Sequence, residues 1–265
     1  MFDIYKNKKV LITGHTGFKG SWLALWLNSI GANLYGISLP PKSKKDHINF
    51  LNINIESHYQ DIRDKEKLNE LINNIKPEFI FHLAAQPLVK ESYLSPLETW
   101  ETNVMGTAYL LNAARTLRNL KGVVIITSDK CYENKEYSRG YKESDSLGGF
   151  DPYSSSKGAC EILTSSFRRS FFNEKKLPLI ASARSGNVIG GGDWSKDRLI
   201  PDIIRSIEIN SNLLIRSPYS TRPWQHVLEC VNGYLMLGEK LLSGDSFYAN
   251  AWNFVYRNRT LINTE

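Results

Sequence analysis

Cysteine is scarce. The 265 residues hold three, Cys131, Cys160 and Cys230, which is an odd number at separations that match no metal-ligand spacing. So sparse a set excludes a disulfide framework and points to a reducing, cytoplasmic compartment. Membrane-length runs are missing too. The apolar stretch 22–30 is far short of the ~20 residues that cross a bilayer, and the N-terminus lacks the charged-then-apolar pattern of a signal peptide. Clustered basic runs interleaved with aromatics are also absent, although the net charge is +6. Lysines and arginines are scattered, which argues against a nucleic-acid partner. The positive balance fits either an ordinary basic protein or affinity for a phosphorylated small molecule. His15, His82 and His226 have no metal-ligand spacing, so no metal site is expected. There are no internal repeats and no low-complexity tract.

What the chain does have is alternation. Its 265 residues are 42% hydrophobic, enough for one large domain or a main domain with a lobe. Buried-strand runs alternate with helical patterns, which predicts an α/β fold: a Rossmann-type, doubly wound parallel sheet covered by helices. Strands are predicted at Lys9–Thr13, Asn33–Ser38, 78–83, 122–127 and 179–184, and helices at 20–30, after Asp64, and at 96–117. Residues 42–54 read as a polar, basic surface loop closing off Pro40-Pro41. A further helix begins after Asp151, a good N-cap, with Pro152 suited to the first turn. Beyond Gly190-Gly191-Gly192 the alternation weakens. The expected division is a dinucleotide-binding domain at 1–185 and a smaller, partly interleaved substrate lobe at 186–265.

Two patterns carry chemistry. Thr13-Gly14-His15-Thr16-Gly17-Phe18-Lys19-Gly20 follows a strand and opens a helix. Glycines there permit a tight turn and the close approach of a pyrophosphate to the helix N-terminus. Tyr153 and Lys157 stand at i and i+4 on a helix, so ammonium and phenol share one face. A nearby positive charge lowers a phenol's pKa and suits it to act as a base.

Glycine turn and Tyr-x-x-x-Lys together resemble the extended short-chain dehydrogenase/reductase family, the NAD-dependent epimerases and dehydratases. Other segments match that family in order. Asp61-Ile62 falls where an aspartate usually meets the adenine ring, Leu83-Ala84-Ala85-Gln86 matches the stretch lining the dinucleotide, and Asn103 matches a helix asparagine of the fold. The resemblance implies a cofactor set of Gly14, Thr16, Gly17, Phe18, Lys19, Gly20, Asp61, Ile62, Leu83, Ala84, Ala85, Gln86, Asn103, Thr127, Tyr153 and Lys157. The second strand ends Gly36-Ile37-Ser38-Leu39-Pro40, with neither an acid for a ribose nor an arginine for an extra phosphate, which leaves NAD favoured over NADP.

Thr127-Ser128-Asp129-Lys130-Cys131-Tyr132 narrows the chemistry. Sugar-nucleotide dehydratases of the family carry Asp-Glu where this chain has Asp129-Lys130, epimerases commonly lack the pair, and the CDP-glucose 4,6-dehydratase branch is similar in having Asp-Lys. The implied reaction is conversion of CDP-glucose to a 4-keto-6-deoxy sugar, a precursor for lipopolysaccharide. Its catalytic set is Ser128, Asp129, Lys130, Tyr153 and Lys157. Lys130 is either the base at carbon 5 or a charged stabiliser of the enolate, because only a neutral amine accepts a proton. Asn187, Arg198 and Arg222 are expected to bind substrate, and Trp194 either stacks on a base or simply packs. Homo-oligomers, dimer or tetramer, are expected by the same resemblance. The match runs to Trp252-Asn253-Phe254, after which 255–265 departs from the family. The resemblance therefore predicts a C-terminally truncated chain with an incomplete substrate lobe, one that binds NAD but turns over poorly.

Overall fold

Lys9–Thr13 (β1) is buried from its second residue on, because neighbouring strands flank it on both sides. A computed structural model describes residues 1–137, 139–173, 178–215 and 217–255. After β1 come Phe18–Ile30 (α1), Asn33–Ser38 (β2), Ile55–Tyr59 (β3), Lys65–Ile75 (α2) and Phe79–His82 (β4). Val89–Leu94 (α3), Pro96–Trp100 (α4), a π-helical turn at Glu101–Met105 and Gly106–Ala114 (α5) lead to Gly122–Ile126 (β5). Pro152–Phe171 (α6), Leu179–Ser185 (β6), Val188–Ile189 (β7) and Leu199–Glu208 (α7) follow, then Gln225–His226 (β8), Val227–Leu242 (α8) and Ala251–Phe254 (β9).

Seven strands form one parallel sheet in the order β3-β2-β1-β4-β5-β6-β9. The central strands β1, β4 and β5 are largely apolar because both faces are covered. Val10, Ile12, Phe79, Phe81, Val124 and Ile126 face a core closed by α1 and α8. Leu11, Ile80, Val123, Ile125 and Ile180 face the opposite core, under α2, α5 and α6. The strands reverse their order of travel at β1 and β4, whose paired ends Thr13 and His82 mark the crevice where ligands of such sheets sit.

The fold departs from the sequence expectations in two places. β3 was not anticipated: Ile-Glu-Ser-His-Tyr is an edge strand with mostly exposed side chains, and shows no apolar run. The helix expected at 96–117 is interrupted by the π turn, which turns Asn103 inward to 1% exposure. β7, β8 and α7 lie outside the main sheet, but α8 packs into the first core and β9 pairs with β6. Of the departure expected at 255–265, residues 256–265 lie outside the described residues.

Candidate active site

The glycine turn is tightly built. Gly14 takes φ +76° and lies so close to the chain after β4 that a Cβ there would meet the Ala84 nitrogen at 2.7 Å. A Cβ on Gly20 would stand 2.1 Å from the Gly14 carbonyl oxygen, so α1 can start where it does only with glycine at that position. The N-cap of α1 is Gly17, which has no side-chain cap, and no acid stands in the first turn. Its N–H groups and dipole therefore favour an anion at that end. Thr16 Oγ1 and Ser38 Oγ are paired at 2.7 Å across the ends of β1 and β2.

Asn103 explains the π turn. Its Oδ1 accepts from the Gln86 N–H at 2.8 Å, while its Nδ2 donates to the Gln86 carbonyl at 3.1 Å and to Ser156 Oγ at 2.9 Å. One buried amide thus ties the segment after β4 to α6, the helix of Tyr153 and Lys157. Ile62 is buried against Gly106 at the start of α5. Both Asp61 oxygens are engaged by Arg63, at 2.9 Å and 2.7 Å. Although burial works the other way, that cation holds the Asp61 carboxyl below its usual range.

α6 begins as expected: Asp151 Oδ1 accepts from the Ser154 N–H at 2.9 Å. Tyr153 and Lys157 are buried on its inward face. Burial pushes the Tyr153 phenol up to about 12, against a hydrogen bond with Ser128 and the charge of Arg198. Lys157 donates to the Ile126 carbonyl at 3.3 Å, and burial lowers its pKa, with Lys19 adding to the effect. The expected pairing, in which Lys157 lowers the Tyr153 pKa, is therefore not the dominant effect here, because desolvation prevails.

Ser128 caps a short 3-10 turn, Asp129–Cys131, accepting from the Lys130 N–H. Ser128 Oγ donates to Asp129 Oδ1 at 3.0 Å, and Lys130 Nζ lies 3.8 Å from that same oxygen. About a third of each side chain of the Asp129–Lys130 pair is exposed. A cavity of about 840 Å³ is lined by Lys19, Thr127, Ser128, Lys130, Tyr153, Asn187, Arg198 and Arg222, together with 190–194 and the apolar face of α7. Ser128, Lys130 and Tyr153 of the expected catalytic set thus share one space with the expected substrate residues, while Asp129 and Lys157 stand behind its lining. Gly14, Gly17 and Gly20, Asp61-Ile62 and Leu83–Gln86 are not part of its lining. Among the described residues the buried Asn187 Oδ1 has no hydrogen-bond partner, and Arg198 is paired with Asp193 at 3.0 Å.

Sequence reasoning missed two groups. Residues 42–54 are no bare loop: His47 stacks on Trp22 with ring centroids 4.5 Å apart and bonds Ser21 Oγ at 2.9 Å. Lys45 stands 4.5 Å over the Trp194 ring and pairs with Glu208 at 3.1 Å, so the segment straps α1 to the cavity wall. No local periodicity announces such contacts. The other group is the buried pair Glu161–Arg184, 2.9 Å apart. Glu161 had a signal, since it stands at i+4 from Lys157 and shares its helix face. Among the described residues no cluster of His, Cys, Asp and Glu could hold a metal ion, and no helix is long and apolar enough to cross a membrane.

The sequence profile of the GDP-mannose 4,6-dehydratase family matches residues 11–262. The chain belongs to this family. Within the dehydratase family it is 52% identical, over 258 residues, to the CDP-glucose 4,6-dehydratase of Salmonella typhimurium, an alignment covering 95% of this chain and 72% of that protein. Among solved structures, an epimerase from Methanothermobacter thermautotrophicus is similar with a TM-score of 0.87 at 26% identity, covering 99% of this chain and 75% of the other. A dTDP-glucose 4,6-dehydratase from Streptomyces venezuelae, solved with NAD bound, shares the fold with a TM-score of 0.79 at 21% identity, covering 92% and 74%. Dehydratases and epimerases thus share this architecture, and the chemistry has to be argued from the site.

Proposed function

We propose that this chain is an NAD-dependent nucleotide-sugar 4,6-dehydratase acting on CDP-glucose, a hydro-lyase. The observation that carries the reading is that Ser128, Lys130 and Tyr153 line one cavity, with the Asp129 carboxylate 3.8 Å from the Lys130 ammonium. A 4-epimerase needs a base at carbon 4 and nothing more, whereas a dehydratase needs a second acid–base pair for carbons 5 and 6. The 52% identical Salmonella relative supports CDP-glucose as the substrate.

The residues present fit NAD. The uncapped N-terminus of α1 suits a pyrophosphate, and the crowded Gly14–Ala84 and Gly20–Gly14 contacts keep side chains out of that approach. Gly14, Gly17 and Gly20 would form the cradle, with Thr16, Phe18, Lys19, Asp61, Ile62, Leu83, Ala84, Ala85, Gln86, Asn103 and Thr127 around it. When bound, NAD would supply the acceptor for a hydride from the sugar's carbon 4 and return that hydride to carbon 6. Tyr153, assisted by the charge of Lys157, takes the proton of the sugar's 4-hydroxyl, and Ser128 hydrogen-bonds the same oxygen. The ketone formed at carbon 4 acidifies the hydrogen on carbon 5. Lys130, when neutral, removes that proton, and Asp129, when protonated, donates to the 6-hydroxyl as it leaves as water. Arg198 and Arg222 engage the diphosphate, and Asn187 offers its unpartnered Oδ1 to a sugar hydroxyl.

Assembly of identical copies is supported by Leu97, Trp100 and Ile162, large apolar side chains that α4 and α6 leave exposed. Three buried free thiols support a reducing, cytoplasmic setting. The deciding test incubates the protein and NAD with CDP-, dTDP-, UDP- and GDP-glucose and follows the alkaline absorbance of a 4-keto-6-deoxy product. CDP-glucose should react fastest. Epimerised product without dehydration, or no product from any of the four, would refute the reading.

A further inference from the structure

The turn that bears Asp129 and Lys130 is gripped at both ends by a single buried ion pair. Glu161 Oε1 accepts a short hydrogen bond from the hydroxyl of Thr127, the residue that precedes the turn. Its Oε2 accepts from Ser182 Oγ at 2.7 Å and from Arg184 at 2.9 Å. Arg184 then reaches the residue that follows the turn: its Nη1 donates to the Tyr132 hydroxyl at 2.7 Å, and its guanidinium lies 5.0 Å from that ring's centre. Tyr132 in turn donates to Asn253 Oδ1 of β9 at 2.7 Å.

Glu161 also stands on the helix of the proposed oxidation base, at i+4 from Lys157 and i+8 from Tyr153, all buried on one face. Backbone packing locks the helix to the turn as well. A Cβ on Gly158 would meet the Gly148 carbonyl at 2.5 Å, and the Gly148 N–H donates to the Cys131 carbonyl at 2.9 Å. The base at carbon 4 and the acid–base pair for carbons 5 and 6 therefore have one common reference, the Glu161 carboxylate. Stability alone does not account for such a pair, because well-packed apolar residues serve a core equally well or better. Its geometry does something apolar residues cannot: two directional contacts fix the two ends of a five-bond turn relative to a helix.

We propose that Glu161 and Arg184 are positioning residues for elimination, holding the Asp129–Lys130 turn in register with Tyr153. The proposal rests on the dehydratase reading for its catalytic consequence but not for its structural one. Loosening the turn leaves Tyr153, Lys157 and the glycine turn in place, so oxidation at carbon 4 is spared while proton removal at carbon 5 and loss of water slow. A displacement of about 1 Å costs on the order of a hundredfold in such steps.

The test compares the full chain with Glu161→Gln and with the double variant Glu161→Gln/Arg184→Met, which removes both members of the pair and so leaves no unpaired Arg184 to drive simple unfolding. With NAD and CDP-glucose, bound NADH absorbance reports oxidation, and solvent deuterium at carbon 5 reports elimination. The double variant should keep its oxidation rate within about threefold while exchange and product formation fall about 30-fold or more. An independent reading uses NAD-free protein and a thiol reagent, with labelled sites mapped by peptide analysis. Cys131 lies inside the gripped turn and Cys230 in the distant α8 core, and both are buried. Cys131 should label about tenfold faster in the variant, with Cys230 unchanged. Equal slowing of oxidation and elimination, no slowing of either, or equal acceleration of both thiols would overturn the positioning role. Wild-type protein that forms neither bound NADH nor product would instead overturn the dehydratase reading, and the labelling result would still decide whether the ion pair holds the turn.

Discussion

Lys157 donates its ammonium to the carbonyl oxygen of Ile126, 3.3 Å away, at the C-terminal end of β5. The contact pins a positive charge one helical turn from Tyr153. The Tyr153 phenol is pushed up to about 12 by burial and requires nearby positive charge to act as a base near neutrality. Removing a cation favours the neutral phenol, so the base form then appears only at higher pH. Lys157→Met should move the acid limb of the kcat/KM profile upward and lower the rate at pH 7.5 by about 10²–10⁴. An unmoved limb would show that Lys157 holds α6 without tuning the phenol.

Lys130→Ala should separate the two half-reactions. Tyr153 and Lys157 remain, so oxidation proceeds and a 4-keto-glucose accumulates with bound NADH. Deuterium exchange at carbon 5 should fall about 10²-fold or more, the usual scale for loss of a general base. Exchange at the wild-type rate would remove Lys130 from the base role and leave electrostatic support of the enolate.

The strap is open to a finer test. Lys45 stands over Trp194 and pairs with Glu208, in contacts that are largely exposed. Such contacts contribute only about 0–1 kcal/mol each. Lys45→Ala is therefore expected to raise KM for the sugar nucleotide about two- to fivefold, with kcat and NAD affinity unchanged. A change in kcat of similar size would indicate that the strap reaches the reacting groups.

Asn103 predicts a stability effect. Its amide satisfies the backbone N–H and carbonyl of Gln86 and binds Ser156. Asn103→Ala leaves buried polar groups without partners, at a cost of roughly 1–3 kcal/mol apiece. For a chain of this size each kcal/mol lowers Tm by about 2–4 °C. A Tm within 1 °C of wild type would mean that water replaces the amide without loss.

His82 makes the fold acid-sensitive. Its ring bridges Thr13 Oγ1 at 2.7 Å and Thr107 Oγ1 at 3.0 Å, and burial, with Lys157 adding, lowers its pKa to about 3. A histidine depressed in the folded state favours folding above its unfolded pKa, about 6.5. That contribution shrinks as pH falls towards 3, by up to roughly 1.4 kcal/mol per pH unit. His15, lowered to about 4 by burial with His58 adding, acts in the same direction. The unfolding free energy should decline from pH 6.5 to 4.5, and His82→Gln should flatten that slope. An unchanged slope would place the acid sensitivity elsewhere.

Local features of the chain determined much of this protein. Unbroken apolar strands, the glycine spacing at Gly14, Gly17 and Gly20, Asp151 before Pro152, and Tyr153 four residues from Lys157 each act within a few residues. Their physical consequences can therefore be worked out from the chain alone. Tertiary structure decided the rest. The edge strand Ile55–Tyr59 forms because β2 offers it a ladder, not because its residues are apolar. The helix around Asn103 opens into a π turn where a buried amide reaches Gln86, past the C-terminal end of the central strand β4. α8 and β9 return to the main sheet from beyond the cavity, in contacts set by strand pairing rather than by sequence distance. Above all, Glu161 meets Thr127 and Arg184 through side chains 34 and 23 residues away. Burial then gives these polar contacts their strength, because removal from water makes each unpaired group costly and each paired one directional.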